Sequence, residues 1–185
     1  MMRLFVGIPL TDAVVAQLAM VRNRLRSAGD GLRWPPPDSW HITLQFLGNA
    51  GAEQLPSLQA RLAGVRSPPV PVKLGGLGIF DRAGIFFAAV ELTAELAALE
   101  KRVTAATSLC GFAAEKRPYQ PHITLARSSG AGGKRQLKAL KTHVPDRIAC
   151  PPFVAREFLL YESHLGAGGS KYEVLAGFLL SASAS

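Results

Sequence analysis

Cysteine is almost missing from this 185-residue chain, which holds only Cys110 and Cys150. Neither stands in a Cys-x-x-Cys pair or beside a histidine at ligand spacing, so a disulfide scaffold and a cysteine zinc site are both excluded. The two suit a reducing compartment and a buried structural role. Long apolar runs are missing too. No stretch approaches the roughly 20 residues that a membrane-spanning helix needs. The opening MMRLFVGIPLTD has one basic residue, a short apolar run broken by Pro9 and no small-residue cleavage site, so it reads as a first strand and not a signal peptide. A cytoplasmic monomer without membrane attachment is expected. Acidic side chains are sparse, 13 against 21 Lys and Arg, for a net charge of +8. Such a balance attracts nucleic acid, anionic membrane or phosphorylated small molecules. Charge alone does not choose among them, and solubility alone would also account for it.

The apolar periodicity predicts strands at MRLFVGIPL, HITLQFLG, VPVKLGGLGIF, GIFFAAVEL, PHITLAR, FVAREFLLYES and KYEVLAGFLL. Helices are predicted at AVVAQLAMVRNRLRSA, AEQLPSLQARLAGV, TAELAALEKRVTAATSLCG and KRQLKALKTHV. DRAG reads as a hairpin turn and HLGAGGS as a flexible loop. The order β-α-β-α-β-β-α-β-α-β-β implies an α+β fold, a single two-lobed domain over residues 1–185. Its two similar lobes would each be an antiparallel-rich sheet covered by helices, around a central cleft.

Both halves contain His-Ile-Thr-Leu, at His41–Leu44 and His122–Leu125. Side chains alternate along a strand, so His41 and Thr43 share one face, as do His122 and Thr124, with the aliphatic residues on the other. A lone histidine on a strand is ordinarily a satisfied structural residue. Two His-x-Thr faces across one cleft have a chemical use. Imidazole titrates near neutrality, so one ring can accept a proton while the other donates one. Threonine hydroxyls can donate to an oxyanion. Phosphodiester cleavage needs this set, and needs no metal if the leaving oxygen is protonated.

The doubled motif resembles the signature of the two-histidine phosphoesterase superfamily. The wider match is to its RNA 2′,3′-cyclic phosphodiesterases, also called 2′-5′ RNA ligases. RLFVGIPL, RWPPPDSWHITLQFLG, RPYQPHITLAR and LLYESHLGAGGSKYEVL carry that resemblance over nearly the whole chain. It implies hydrolysis of RNA 2′,3′-cyclic phosphate ends to 2′-phosphomonoesters, and in some members reversible 2′-5′ ligation. It also implies His41 as proton donor, His122 as proton acceptor, and Thr43 and Thr124 as phosphate holders. Strand parity cannot separate donor from acceptor.

Arg127 is a candidate phosphate ligand or a rim charge, since its parity opposes His122 unless the strand bulges. Tyr119 and Trp34 could stack a base, and Trp34 could equally pack on its prolines. Lys134, Arg135, Lys138 and Lys141 form a basic helix face that could follow an RNA backbone or simply be solvated. His143 and His164 lack a Thr at i+2 and an acidic neighbour at ligand spacing, and read as surface residues. GAGGKR fails the phosphate-loop pattern, LGGLG precedes no helix, and no His-Glu-x-x-His occurs, so no cofactor or metal is expected. The expected partner is RNA or an oligonucleotide with a cyclic phosphate end. The rivals are a catalytically idle RNA-binding module and an esterase for small cyclic nucleotides.

Overall fold

The computed structural model describes residues 1–29, 31–128, 130–140, 142–144, 148–166 and 169–181. Lys141 of the expected basic helix face, Pro145, and Ala167 and Gly168 of the segment HLGAGGS lie outside them. Among the described residues, ten strands and four α-helices occur in the order β1 (Met2–Pro9), α1 (Asp12–Leu25), β2 (Leu32–Arg33), β3 (His41–Ala50), α2 (Leu55–Ala63), β4 (Val70–Val72), β5 (Leu74–Phe80), β6 (Ile85–Val90), α3 (Ala94–Ser108), β7 (His122–Ser128), α4 (Gly130–Leu140), β8 (Phe153–Ala155), β9 (Glu157–Gly166) and β10 (Gly169–Leu179). One antiparallel sheet is ordered β10-β9-β1-β3 and the other β2-β7-β6-β5, with β4 and β8 paired separately. This is the expected two-lobed α+β arrangement.

Alternation builds the sheets. Leu4, Val6 and Ile8 on β1 and Ile42 and Leu44 on β3 are buried on one side, as are Ile123 and Leu125 on β7. At ~25 cal/mol per Å², each fully buried aliphatic side chain of this size contributes about 2 kcal/mol. Helix α1 buries Val14, Leu18 and Leu25, and α3 buries Leu96, Leu99 and Val103. Thr93 caps α3, its hydroxyl accepting from the Leu96 amide at 3.1 Å. Helices α2 and α3 touch each other and reach the first sheet through β10 and β3, while α4 lies on β7 and β2 of the second.

Several elements differ from expectation. VPVKLGGLGIF divides into β4 and β5, and FVAREFLLYES into β8 and β9. The two short pieces pair with each other, a long-range match that local propensity does not encode. The loop HLGAGGS is largely strand, because β9 and β10 stay paired out to Gly166 and Gly169. Helix α4 begins at Gly130, four residues before the expected start. Cys110 and Cys150 are free and only partly buried.

The repeat survives in the register. On β3, Thr43 faces Gly7 and Gln45 faces Val6, so Leu44 is an extra residue. On β7, Thr124 faces Phe87 and Ala126 faces Phe86, so Leu125 is extra in the same way. Each His-Ile-Thr-Leu strand therefore carries a bulge at its leucine, which flips the side-chain parity beyond it.

Candidate active site

Strands β3 and β7 lie against each other between the two sheets, which brings the two motifs together. His41 and Thr43 are half-buried on β3 while Ile42 and Leu44 are buried; His122 and Thr124 repeat the pattern on β7. Each imidazole is anchored alike. His41 Nδ1–H donates to the Ser39 carbonyl at 2.9 Å, and His122 Nδ1–H donates to the Gln120 carbonyl at 2.7 Å. A carbonyl only accepts, so Nδ1 carries the proton and Nε2 is left for chemistry. At His41, Nε2 lies 3.1 Å from the Thr43 hydroxyl, which can donate to it.

The surroundings of the two rings differ. His41 stacks on Phe5 at 4.6 Å between centroids and meets Tyr161 at 5.7 Å and the edge of Tyr172 at 5.2 Å. His122 meets the edges of Phe80 at 5.1 Å and Phe87 at 5.5 Å. Small residues make these contacts possible. A Cβ on Gly7 would sit 3.0 Å from the Ile42 carbonyl oxygen and 3.3 Å from the His41 ring. A Cβ on Gly78 would run into the Phe87 ring at 2.5 Å. Burial pushes the His41 pKa down to about 4; the Ser39 carbonyl opposes this, and the Arg127 and His122 charges add to it. Burial also lowers His122, opposed by the Gln120 carbonyl and reinforced by Arg127. Both rings are therefore neutral in the free protein near pH 7.

The bulge settles the side of Arg127. Leu125 and Ala126 are both buried and Arg127 is half-buried, so its side chain returns to the His122 face. At the matching place of the first copy stands Phe46, also five residues after its histidine. Phe46 is 63% exposed, and its ring lies 6.0 Å from that of Phe5, the ring under His41. Tyr119, expected against substrate, has its hydroxyl committed elsewhere: it donates to the Thr43 carbonyl at 3.0 Å and so ties the β7 lead-in to β3. Trp34 packs edge-on against Phe86 on β6, 6.0 Å between ring centroids, a partner that the sequence did not indicate.

Sequence reasoning missed Tyr161, Tyr172 and Phe46. The first two lie in the quoted hairpin segment, but only the β9–β1 pairing places Tyr161 opposite Phe5. Phe46 was hidden by the bulge. His143 is exposed, as expected. His164 requires a correction, because acidic neighbours are present: its Nε2 lies 3.2 Å from Glu173 and 3.8 Å from Glu162. Glu162 shares its strand face at i−2, and Glu173 is brought over by the hairpin register. Ligand atoms of the three lie within 4.8 Å of one another.

A family model, LigT like Phosphoesterase, matches twice, over residues 8–87 and 88–172, one copy for each motif strand. The chain belongs to the LigT-like phosphoesterases. Its relatives include a Bacillus subtilis protein named RNA 2′,3′-cyclic phosphodiesterase, 30% identical over 183 residues, covering 96% of each chain. A Thermus thermophilus protein of the same name is 32% identical over 190 residues, covering 97% of this chain and 90% of its own. A third, from Geobacillus stearothermophilus, is 32% identical over 181 residues, 95% of this chain, and this chain spans 56% of its length. Among solved structures, TT0787 of Thermus thermophilus superposes with a TM-score of 0.82 at 29% identity, covering 98% of this chain and all of that one. Escherichia coli LigT complexed with 3′-AMP superposes at 0.81 with 26% identity, covering 97% and 98%. No helix among the described residues is long and apolar enough to cross a membrane.

Proposed function

We propose that the protein hydrolyses RNA 2′,3′-cyclic phosphate ends to 2′-phosphomonoesters, with imidazoles and not a metal supplying acid and base. The observation that carries this is the matched anchoring of the two rings, each with Nδ1–H held by the carbonyl at i−2. Relatives named RNA 2′,3′-cyclic phosphodiesterase along nearly the whole chain support the substrate.

In this reading the cyclic phosphate lies between the two motif strands. Thr43 and Thr124 donate hydrogen bonds to its oxygens, and Arg127 offers a charged fork beside them. His122 Nε2 accepts a proton from the attacking water as the new P–O bond forms. His41 Nε2–H gives a proton to the 3′ oxygen as the P–O3′ bond breaks. One water is consumed, and the 2′ oxygen keeps the phosphate. Ligation uses the same in-line geometry, with the 5′-hydroxyl of a second strand in the place of water: His122 takes its proton, the P–O3′ bond breaks, and the phosphate is left joining the 2′ oxygen to that 5′ oxygen. Tyr119 is a positioning residue through its bond to the Thr43 carbonyl.

The test uses a 2′,3′-cyclic nucleotide with chelator present. Turnover should persist and yield the 2′-phosphate. His41→Ala and His122→Ala should each lower kcat about 10²–10⁴-fold, the usual contribution of a positioned acid or base. A 3′-phosphate product, loss of activity to chelator with recovery on adding a divalent ion, or near wild-type turnover in either variant would overturn the proposal.

A further inference from the structure

Three arginines converge at one end of the cleft, and the reaction at the histidines uses only one of them. Arg33 on β2 stands directly opposite Arg127 in the antiparallel β2–β7 register, so the two side chains lie side by side on one face. Arg127 itself is turned to the His122 face by the β7 bulge. Arg3 approaches from the other lobe. It precedes Phe5 by two residues on β1, and Phe5 carries the His41 stack, so Arg3 shares the cleft-facing side. The β9–β10 hairpin reaches the same place, since a Cβ on Gly169 would lie 3.8 Å from Arg33 Cδ.

Like charges directly opposite on neighbouring strands destabilise a sheet. Here the cost is uncompensated. The ion pairs among the described residues join Lys73 to Glu91, Arg117 to Glu115 and His164 to Glu162 and Glu173, and none involves Arg3, Arg33 or Arg127. Burial depresses Arg127 first, Tyr172 opposes this, and the Arg33 and Arg3 charges then add to the depression. Arg3 and Arg33 are exposed, so an anion can reach them without displacing protein. A lone surface arginine needs no explanation, but three from two lobes, none of them in an ion pair among the described residues, form a preorganised anion site.

We infer that Arg3 and Arg33, beside Arg127, bind the phosphodiester on the 5′ side of the nucleotide whose cyclic phosphate is cleaved. This rests on the reading proposed above and names its substrate further: a strand end, in preference to a mononucleotide. Arg127 lies between the reacting phosphate and the upstream one. Arg3 and Arg33 are specificity residues for chain length, not catalytic residues.

The experiment compares kcat/KM of the full chain for 2′,3′-cyclic AMP, for the dinucleotide ApA with a 2′,3′-cyclic phosphate end, and for that dinucleotide with a neutral methylphosphonate linkage. The charged dinucleotide should exceed the mononucleotide by about tenfold or more, one charge-assisted contact or better. The methylphosphonate should lose most of that advantage. Arg33→Ala and Arg3→Ala should each lower the dinucleotide-to-mononucleotide ratio about tenfold, and raised salt should lower it in the wild type. Equal effects of either variant on both substrates, or a methylphosphonate as good as the phosphodiester, would overturn the inference. If no cyclic phosphate is turned over, the function proposal fails. The site is then still decided by calorimetry: ApA 2′-phosphate should bind more tightly than adenosine 2′-phosphate, and Arg33→Ala should remove the difference.

Discussion

In the proposed reaction His41 must be charged to protonate a leaving oxygen, yet in the free protein burial lowers its pKa to about 4. Moving it from 6.5 to about 4 corresponds to about 3 kcal/mol of lost proton affinity. An anion between the motif strands can restore it. One negative charge at about 4 Å, with an effective dielectric near 20, contributes ~4 kcal/mol. Arg127 and His122 share that anion, so a net pKa rise of about two or more is expected. The assay is a pH titration of the imidazole ring signals by NMR, free and saturated with sulfate, which does not titrate in this range. A His122→Asn variant assigns the signals. Free His41 should titrate near 4 and sulfate-bound His41 near or above its ordinary value. A rise of less than one, with sulfate demonstrably bound, would refute the idea that substrate charges its own acid.

Stability should fall as pH drops from about 6.5 towards 4. The unfolded chain protonates His41 near 6.5 and the folded one only near 4, so the unfolded state binds more protons in that window. The loss should reach about 3 kcal/mol by the bottom of the window, His122 acts in the same direction, and urea melts of wild type against His41→Ala would read the difference; equal pH slopes would reject it. Gly7→Ala places a carbon 3.0 Å from the Ile42 carbonyl oxygen, whose strand is held in the β1–β3 pairing, and 3.3 Å from the His41 ring. Displacing that ring should cost about 10–100-fold in kcat, with helix content by circular dichroism unchanged; wild-type turnover would show that the contact does not position His41. Phe46, exposed beside the Phe5 ring under His41, offers a face on which the base of the proposed substrate can stack; on that reading Phe46→Ala should raise KM for a cyclic nucleotide about tenfold or more with kcat nearly kept, and an unchanged KM in steady-state kinetics would reject the stacking role.

The motif strands were legible because their information is local. His-x-Thr parity, the aliphatic partners and the flanking helices all follow from periods of two and 3.6 residues. The β4–β8 pair was not legible, since Val70–Val72 and Phe153–Ala155 are far apart in sequence and each is too short to announce itself. The bulges were illegible for another reason. A bulge changes parity without changing composition, so Arg127 remained ambiguous and Phe46 invisible until Leu44 and Leu125 were seen to be extra residues in the register. The aromatic wall around His41 is the third case. Phe5, Tyr161 and Tyr172 belong to three strands, and only the sheet order β10-β9-β1-β3 stacks them.

That wall also bears on which histidine gives the proton. A duplicated frame would by itself make the two rings equivalent, with the same motif, the same bulge and the same carbonyl anchor. The packing breaks the equivalence. His41 is enclosed by three aromatic rings and His122 meets two ring edges. Burial that depresses a pKa makes the imidazolium, once formed, a stronger acid. It therefore suits His41 to a leaving alkoxide, a poor leaving group unless it is protonated. His122, less enclosed and neutral near pH 7, suits the task of taking a proton from water. The donor and acceptor roles proposed for the two copies thus have a physical basis in how much aromatic surface each lobe places around its ring. Exchanging that surface, with Tyr172→Ser and Tyr161→Ser, should raise the His41 pKa in the free protein and shift the acid limb of kcat/KM upwards with it. A limb that stays in place while the NMR pKa moves would mean that His41 is not the group whose protonation the reaction awaits.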